Sequence, residues 1–267
     1  MRFIVALLVA SLVGACATTT QSGAVGVERR QLLLVSRQDA ERSAAAFYAK
    51  EKEKYAARGA LNPDPAQTAR VRRIARDLIA QTGVFRPDAP HWKWEVNVLK
   101  SDELNAYCAA GGKIAVYSGL IERLKLTDDE LAAVMGHEIA HALREHSREA
   151  MSELVAQQLG IAVLATALNM GSLTQDLLDK AATLAIQLPN SREKEREADR
   201  IGLELTARAG FDPRAAVSVW KKMMAAGGSQ PPAFLSTHPN PADRMQDIEA
   251  HLPRVLPLYE EARHAQR

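Results

Sequence analysis

One run of eight residues constrains this chain more than any other: Val134-Met135-Gly136-His137-Glu138-Ile139-Ala140-His141. It lies in a stretch that reads as helix from Asp128 to about Arg148. His137 and His141 are four apart, so on a helix they share one face and both imidazoles reach a single cation. Glu138 is swung roughly 100° round the helix, which sets its carboxylate beside that cation without binding it. A base acting on a water molecule belongs there. With 7 His in 267 residues, such a run arises by chance on the order of 0.01 times in a chain of this kind. The helix is well specified in its own right. Thr127 with Glu130 makes a capping box, Asp128 and Asp129 sit at the positive end of the dipole, and Leu131, Val134, Met135, Ile139 and Ala142 recur at helical spacing.

Two histidines do not complete a catalytic zinc site, which takes three protein ligands and keeps a fourth position for water. His146 follows His141 by five residues, but Arg144 stands where the metzincin pattern needs Gly. The better candidate is Glu195, on a helix opening after Asn190, with Glu193 and Glu197 as alternatives in the same stretch.

The 34 basic and 32 acidic residues nearly cancel and form no long block of one sign, which argues against a nucleic-acid partner. Residues 1–15 have the layout of a signal peptide: a positive start at Met1-Arg2, an apolar run from Phe3 to Val13, then small residues. Val13-Gly14-Ala15-Cys16 resembles the bacterial lipobox, which implies cleavage before Cys16 and its lipidation, with the alternative of an ordinary signal peptide or an unprocessed anchor. Ala17 in place of Asp suits the outer membrane, so the expected location is its periplasmic side, as a lipoprotein. Residues 16–27, small and polar, read as a flexible lipid-anchored tether, and 28–267 as the folded domain. Cys108 is then left without a partner, and reads as a small buried hydrophobe.

Along the domain, helical patterning runs from near Glu28 to about Ala57 and again from Ala66 to Gln81. From Trp92 to Val98 the period becomes two, and Asn105 to Ala109 and Lys113 to Tyr117 read as further strands joined through Gly111-Gly112. An edge of this sheet suits an extended peptide added as a strand. Two apolar helices follow, Ser152 to Met170 and Leu173 to Leu188, and Leu159 to Met170 is too short to span a bilayer. The fold class expected is therefore α+β and predominantly helical, with a zincin-like helix at its core and a small antiparallel sheet of about three strands.

Val134 to His141, together with Ser191-Arg192-Glu193-Lys194-Glu195-Arg196-Glu197-Ala198-Asp199, resembles the zinc metallopeptidases that include HtpX, OMA1 and the CAAX prenyl protease, above all their short bacterial lipoprotein members. Asn105-Ala106-Tyr107, Gly111-Gly112-Lys113-Ile114, Gly210-Phe211-Asp212-Pro213 and Ser236-Thr237-His238-Pro239 with Arg244 extend the likeness from about Glu28 to the end. The resemblance implies one Zn2+ per chain held by His137, His141 and Glu195, with Glu138 as base and Asp199 orienting a ligand histidine. It places His238 and Arg244 close to the metal, as a gate or a stabiliser of the transition state. It also implies an endopeptidase acting on misfolded or misassembled envelope proteins. The competing reading is a zinc-containing chaperone-like binding module with little proteolysis. Two departures stand out: Ala110 replaces the usual Pro before Gly111-Gly112, and the stretch after His251 is too short for the C-terminal repeat domain of some lipoprotein relatives.

Overall fold

The computed structural model describes residues 16–165, 175–227, 232–239 and 241–265. The expected leader, the second half of the apolar stretch at 166–170 and loop residues 228–231 lie outside them. In chain order the elements are β1 (Cys16–Ala17), β2 (Gln31–Leu32), α1 (Arg37–Ala56), α2 (Pro65–Ile79), β3 (Glu95–Leu99), β4 (Ala106–Ala109) and β5 (Lys113–Tyr117). They continue with α3 (Ser118–Arg123), α4 (Asp128–Leu143), α5 (His146–Ala165), α6 (Gln175–Gln187), α7 (Arg192–Arg208), α8 (Ala215–Ala226), α9 (Ala233–Thr237) and α10 (Pro241–Ala265). The architecture is α+β and mostly helical, as the residue pattern indicates. Among the described residues, no helix is long and apolar enough to cross a membrane.

The core is built on α4 crossing α7, and the crossing is glycine on glycine. A methyl group added to Gly202 would sit 2.7 Å from the His137 backbone nitrogen, and one on Gly136 would sit 3.0 Å from the Gly202 carbonyl oxygen. The two backbones can therefore touch beside the first histidine. Glu195 and Asp199, two turns and one turn before Gly202, are thereby carried alongside His137 and His141. Leu131, Met135, Ile139, Ala198, Ile201 and Leu205, all at most 1% exposed, fill the surrounding core.

The sheet differs from the antiparallel arrangement expected. β4 pairs antiparallel with β5, Cys108 opposite Ile114, but β3 runs parallel to β5, Asn97 opposite Ala115, so the order is β3-β5-β4 and the sheet is mixed. The reason lies in β5. Ile114, Ala115 and Val116 are buried on both faces, which suits a central strand, while β3 and β4 take the edges. β3 also begins at Glu95, three residues later than its alternation suggests, because Trp92 and Trp94 stack on each other with ring centroids 5.4 Å apart. Trp94 closes over Gly112, which leaves no room for a side chain there.

Two helix boundaries also move. The first helix starts at Arg37, capped by Ser36, and not near Glu28. α4 ends at Leu143, because Glu145 takes a left-handed φ of 52° and α5 starts afresh at His146. The stretch read as a flexible tether is packed down. Val25 and Val27 are buried, the Gln21 N–H donates to the Phe85 carbonyl at 2.9 Å, and the Val25 N–H donates to Glu204 at 3.1 Å. Its small residues are needed for close approach: a methyl on Gly23 would collide with the Phe85 ring at 2.5 Å. Composition alone does not separate a loose segment from a tightly seated one.

Candidate metal centre and active site

His137 and His141 leave α4 toward α7, Glu195 and Asp199 leave α7 toward α4, and His238 arrives just after α9. All five are buried, as are Glu138 and Arg244. Nε2 of His137 lies 3.0 Å from Nε2 of His141 and 3.2 Å from Nδ1 of His238. Glu195 oxygens lie 3.5 Å from His137 Nε2, 3.4 Å from His141 Nε2 and 2.9 Å from His238 Nδ1. The four donor groups all fall within 4.8 Å of one another. A tetrahedral ion with bonds of about 2.0–2.1 Å has ligand atoms about 3.3 Å apart, so these imidazole nitrogens and carboxylate oxygens fit one zinc-sized cation.

Several of these donor groups are held from behind. Asp199 Oδ1 accepts from His137 Nδ1 at 3.0 Å, which leaves the Nε2 lone pair facing the other donors. Arg244 binds Asp199 through Nε and Nη2, each at 2.6 Å, and Glu195 through Nη1 at 2.6 Å, while its guanidinium lies over Trp220. His238 stacks on Phe234, with ring centroids 4.4 Å apart. Arg244 is thus committed to carboxylates behind the donors, and it is His238 that lines the open cleft in front of them.

Burial pushes the Glu138 carboxyl up, against the pull of the His238 and His137 imidazoles, so this group holds a proton more readily than a carboxylate in water. Its Oε1 lies 3.4 Å from His238 Nε2 yet has no hydrogen-bond partner among the described residues, as suits an acceptor kept free. Burial pushes His141 well below its ordinary value, which keeps it neutral and able to donate a lone pair. Burial and Arg244 work to lower His137, but Asp199 and Glu195 prevail and lift it to about 9. That proton is the one a cation displaces on binding. Burial works to raise Glu195, yet the charges around it, His238 and Arg244 first, hold it well below the carboxylate range.

The cleft measures about 460 Å³ and runs along β4, whose Ala106, Tyr107, Cys108 and Ala109 line it with Glu138, His141 and His238. Since β4 is an edge strand, one side of its backbone is free of sheet partners. Cys108 is buried near Glu138, and burial pushes its thiol well up, the opposite of an activated nucleophile. Cys16 lies apart from this cluster, partly exposed in β1 opposite Leu32.

Sequence reasoning missed the part that four residues play in the surroundings. Trp220 and Phe234 carry no signal beyond ordinary core spacing. His146, set aside as a ligand, donates or accepts at 2.8 Å from His141 Nδ1, and Glu197 lies 3.0 Å from its other nitrogen. Their only trace in the sequence is a third His and a third Glu beside the two motifs.

The sequence model of peptidase family M48 matches residues 65–252. The chain is 37% identical over 188 residues to the mitochondrial metalloendopeptidase OMA1 of Schizosaccharomyces pombe, covering 69% of this chain and 53% of that protein. It is 41% identical over 147 residues to OMA1 of Arabidopsis thaliana, covering 55% and 29% respectively. With the β-barrel assembly-enhancing protease of Escherichia coli it shares 33% identity over 173 residues, 60% of this chain and 35% of that one. The chain thus spans about half or less of the length of these curated relatives. Paired histidines beside a buried carboxylate are a donor set that fits the peptidase family whose model matches here. The chain belongs to peptidase family M48.

Proposed function

We propose that the chain is a zinc endopeptidase with one ion per chain, anchored through a lipid on Cys16 at the periplasmic side of the outer membrane, and that it cleaves misfolded or misassembled envelope proteins. The observation that carries the chemistry is the convergence of His137, His141 and Glu195 beside the unpartnered Glu138 oxygen. The envelope assignment draws on the lipobox-like residues before Cys16 and on the Escherichia coli relative, named for enhancing β-barrel assembly. With residues 18–27 packed on the domain, a lipid on Cys16 holds the enzyme close against the membrane surface.

An extended segment of an unfolded protein adds to the free edge of β4, so its backbone and not its sequence is recognised. When bound, zinc polarises the scissile carbonyl and makes an attacking water acidic enough to lose a proton near neutral pH. Glu138 takes that proton and returns it to the leaving amine, a task suited to a carboxylate whose proton affinity burial has raised. No covalent intermediate with the chain is required. His238 lies beside the three proposed ligands, and if it too held the ion, four protein ligands would leave no place for water. His238 therefore acts as a latch in this conformation, and the enzyme works when it swings out.

Cleavage of an unfolded outer-membrane protein, followed with and without a chelator, tests this reading. The chelator is expected to abolish cleavage, and Glu138→Gln to keep zinc while slowing hydrolysis by about two orders of magnitude or more. Near-normal turnover by Glu138→Gln would overturn the mechanism. His238→Ala is expected to keep zinc and cleave faster. A loss of about 100-fold would instead make the imidazole an oxyanion donor, and no change in cleavage would place it outside the chemistry.

A further inference from the structure

His141 needs its Nε2 lone pair turned toward the metal, and what fixes that orientation is a chain of groups reaching to the N-terminal segment. The Glu197 carboxylate only accepts hydrogen bonds. At 3.0 Å from Glu197 Oε2, His146 Nε2 must therefore carry a proton. A neutral His146 then has a bare Nδ1, which faces His141 Nδ1 at 2.8 Å and accepts its proton. That leaves His141 Nε2 unprotonated, on the side of His137 and Glu195. The three members nearest the donors are buried: His141 is 6% exposed, His146 1% and Glu197 6%.

Glu197 is itself held at four points. Arg29 donates to it through Nε at 2.8 Å and Nη2 at 3.1 Å, and Arg144 through Nε at 3.1 Å, beside His146. Arg29 also grips Glu149, and Gln31 links Glu149 at 2.9 Å to the Arg144 carbonyl at 2.6 Å. Arg144 reaches back to Thr18 and Thr20, each at 3.2 Å, and to the Arg29 carbonyl at 3.0 Å. Arg29 and Arg144 face Glu197 and Glu149 in this cluster, with Lys194 4.0 Å from Glu149 and Glu193 4.0 Å from Arg29 at its edge. The left-handed Glu145 makes this arrangement possible, because it ends α4 and lets His146 turn back onto His141 where an unbroken helix would carry it past.

We propose that His146 is a positioning residue for His141, oriented by Glu197, and that Arg29 locks this relay, which makes the docked segment 18–32 a working part of the metal centre. The proposal rests on the zinc reading of the site. It differs from a plain structural ion-pair cluster in requiring a hydrogen-bond acceptor at the position of His146 Nδ1, whatever carries it.

The test is zinc affinity, measured on the purified full chain by competition with a chromogenic chelator, alongside the thermal midpoint of each zinc-free protein. His146→Leu fills the space without an acceptor and is expected to weaken zinc binding about 10–100-fold, the usual cost of losing a partner behind a metal-binding histidine. His146→Asn places its Oδ1 near the lost Nδ1 and is expected to recover most of that affinity. Arg29→Gln, at the far end of the chain of groups, is expected to weaken binding by about 3-fold or more. Wild-type affinity in His146→Leu, or equal losses in the Leu and Asn variants, would overturn the positioning role. A lowered thermal midpoint with unchanged affinity would do the same, since it marks a structural role only. If His146→Leu does not fold, His146→Asn and Arg29→Gln still decide: wild-type affinity in Arg29→Gln overturns the lock. Failure of the wild-type chain to bind zinc would overturn the metal reading itself, and the proposal with it.

Discussion

α7 carries buried carboxylates on two sides, and an arginine holds each. On one side Arg244 grips Asp199, and Asp199 reaches His137 directly at 3.0 Å. On the other, Arg144 and Arg29 grip Glu197, which reaches His141 only through the intervening His146. The two metal-facing imidazoles are thus set from behind by the same chemistry, at one remove and at two. The short version is sealed inside the protein, with Arg244 2% exposed and covering Trp220. The long version passes through a helix break and ends on Arg29, whose side chain is 22% exposed. A candidate metal site built this way is backed on one side by buried groups of the core and on the other by groups that reach a segment far away in the chain.

Removing a corner of the site is the most severe way to test this picture. Glu195→Ala should lose most bound zinc in metal analysis, whereas Glu193→Ala, with a side chain 63% exposed, should keep the wild-type content. Equal zinc loss from Glu193→Ala would mean that the register of α7 is wrong. Next in size is Arg244→Leu. It leaves Asp199 and Glu195 buried without their cation, and an uncompensated buried charge costs about 3–5 kcal/mol. Denaturant unfolding of the zinc-free protein should show that loss, and a loss under about 1 kcal/mol would mean the sealed side is no stiffer than a surface pair. Smaller again is Gly202→Ala, which forces α7 away from α4 at the crossing and should cost about 1–3 kcal/mol. Because both supports hang on α7, zinc affinity should fall along with stability. Destabilisation with unchanged affinity would show that the carboxylates are placed by their arginines and not by the crossing.

The sealed side was partly legible in the sequence and the other was not. His137, Glu138 and His141 follow from helix geometry alone; Asp199 is implied by the family resemblance, one turn after Glu195, while the roles of Arg244 and Trp220 behind it were not foreseen. Spacing of this kind is local, so it survives without knowledge of the fold. Glu197 is two residues from Glu195, which points it to another side of α7, and only the neighbours found there give it a role. His146 is set aside in the sequence because Arg144 stands where the metzincin pattern needs Gly, and on an unbroken helix it would lie on a different face from His141. The left-handed residue at Glu145 changes that, and a glutamate gives no notice of a positive φ. Neither did Gly136 and Gly202 advertise themselves, since a glycine needed for close helix approach looks the same as a poor helix former.

The same division holds for the fold. Strand periods, the capping box at Thr127 and Glu130 and the mostly helical character were in the residues, because each depends on neighbours within a few positions. Pairing order in the sheet and the seating of residues 18–27 on Phe85 depend on groups far away in the chain, so local patterns left the first as a presumed antiparallel sheet and the second as a loose tether. The sequence by itself determined that a helix would offer two histidines and a carboxylate to one cation. Tertiary structure alone decided how those groups are aimed, because aiming an imidazole takes a hydrogen-bond partner on its far nitrogen. In this protein those partners come from another helix, from beyond a helix break and from the N-terminal segment.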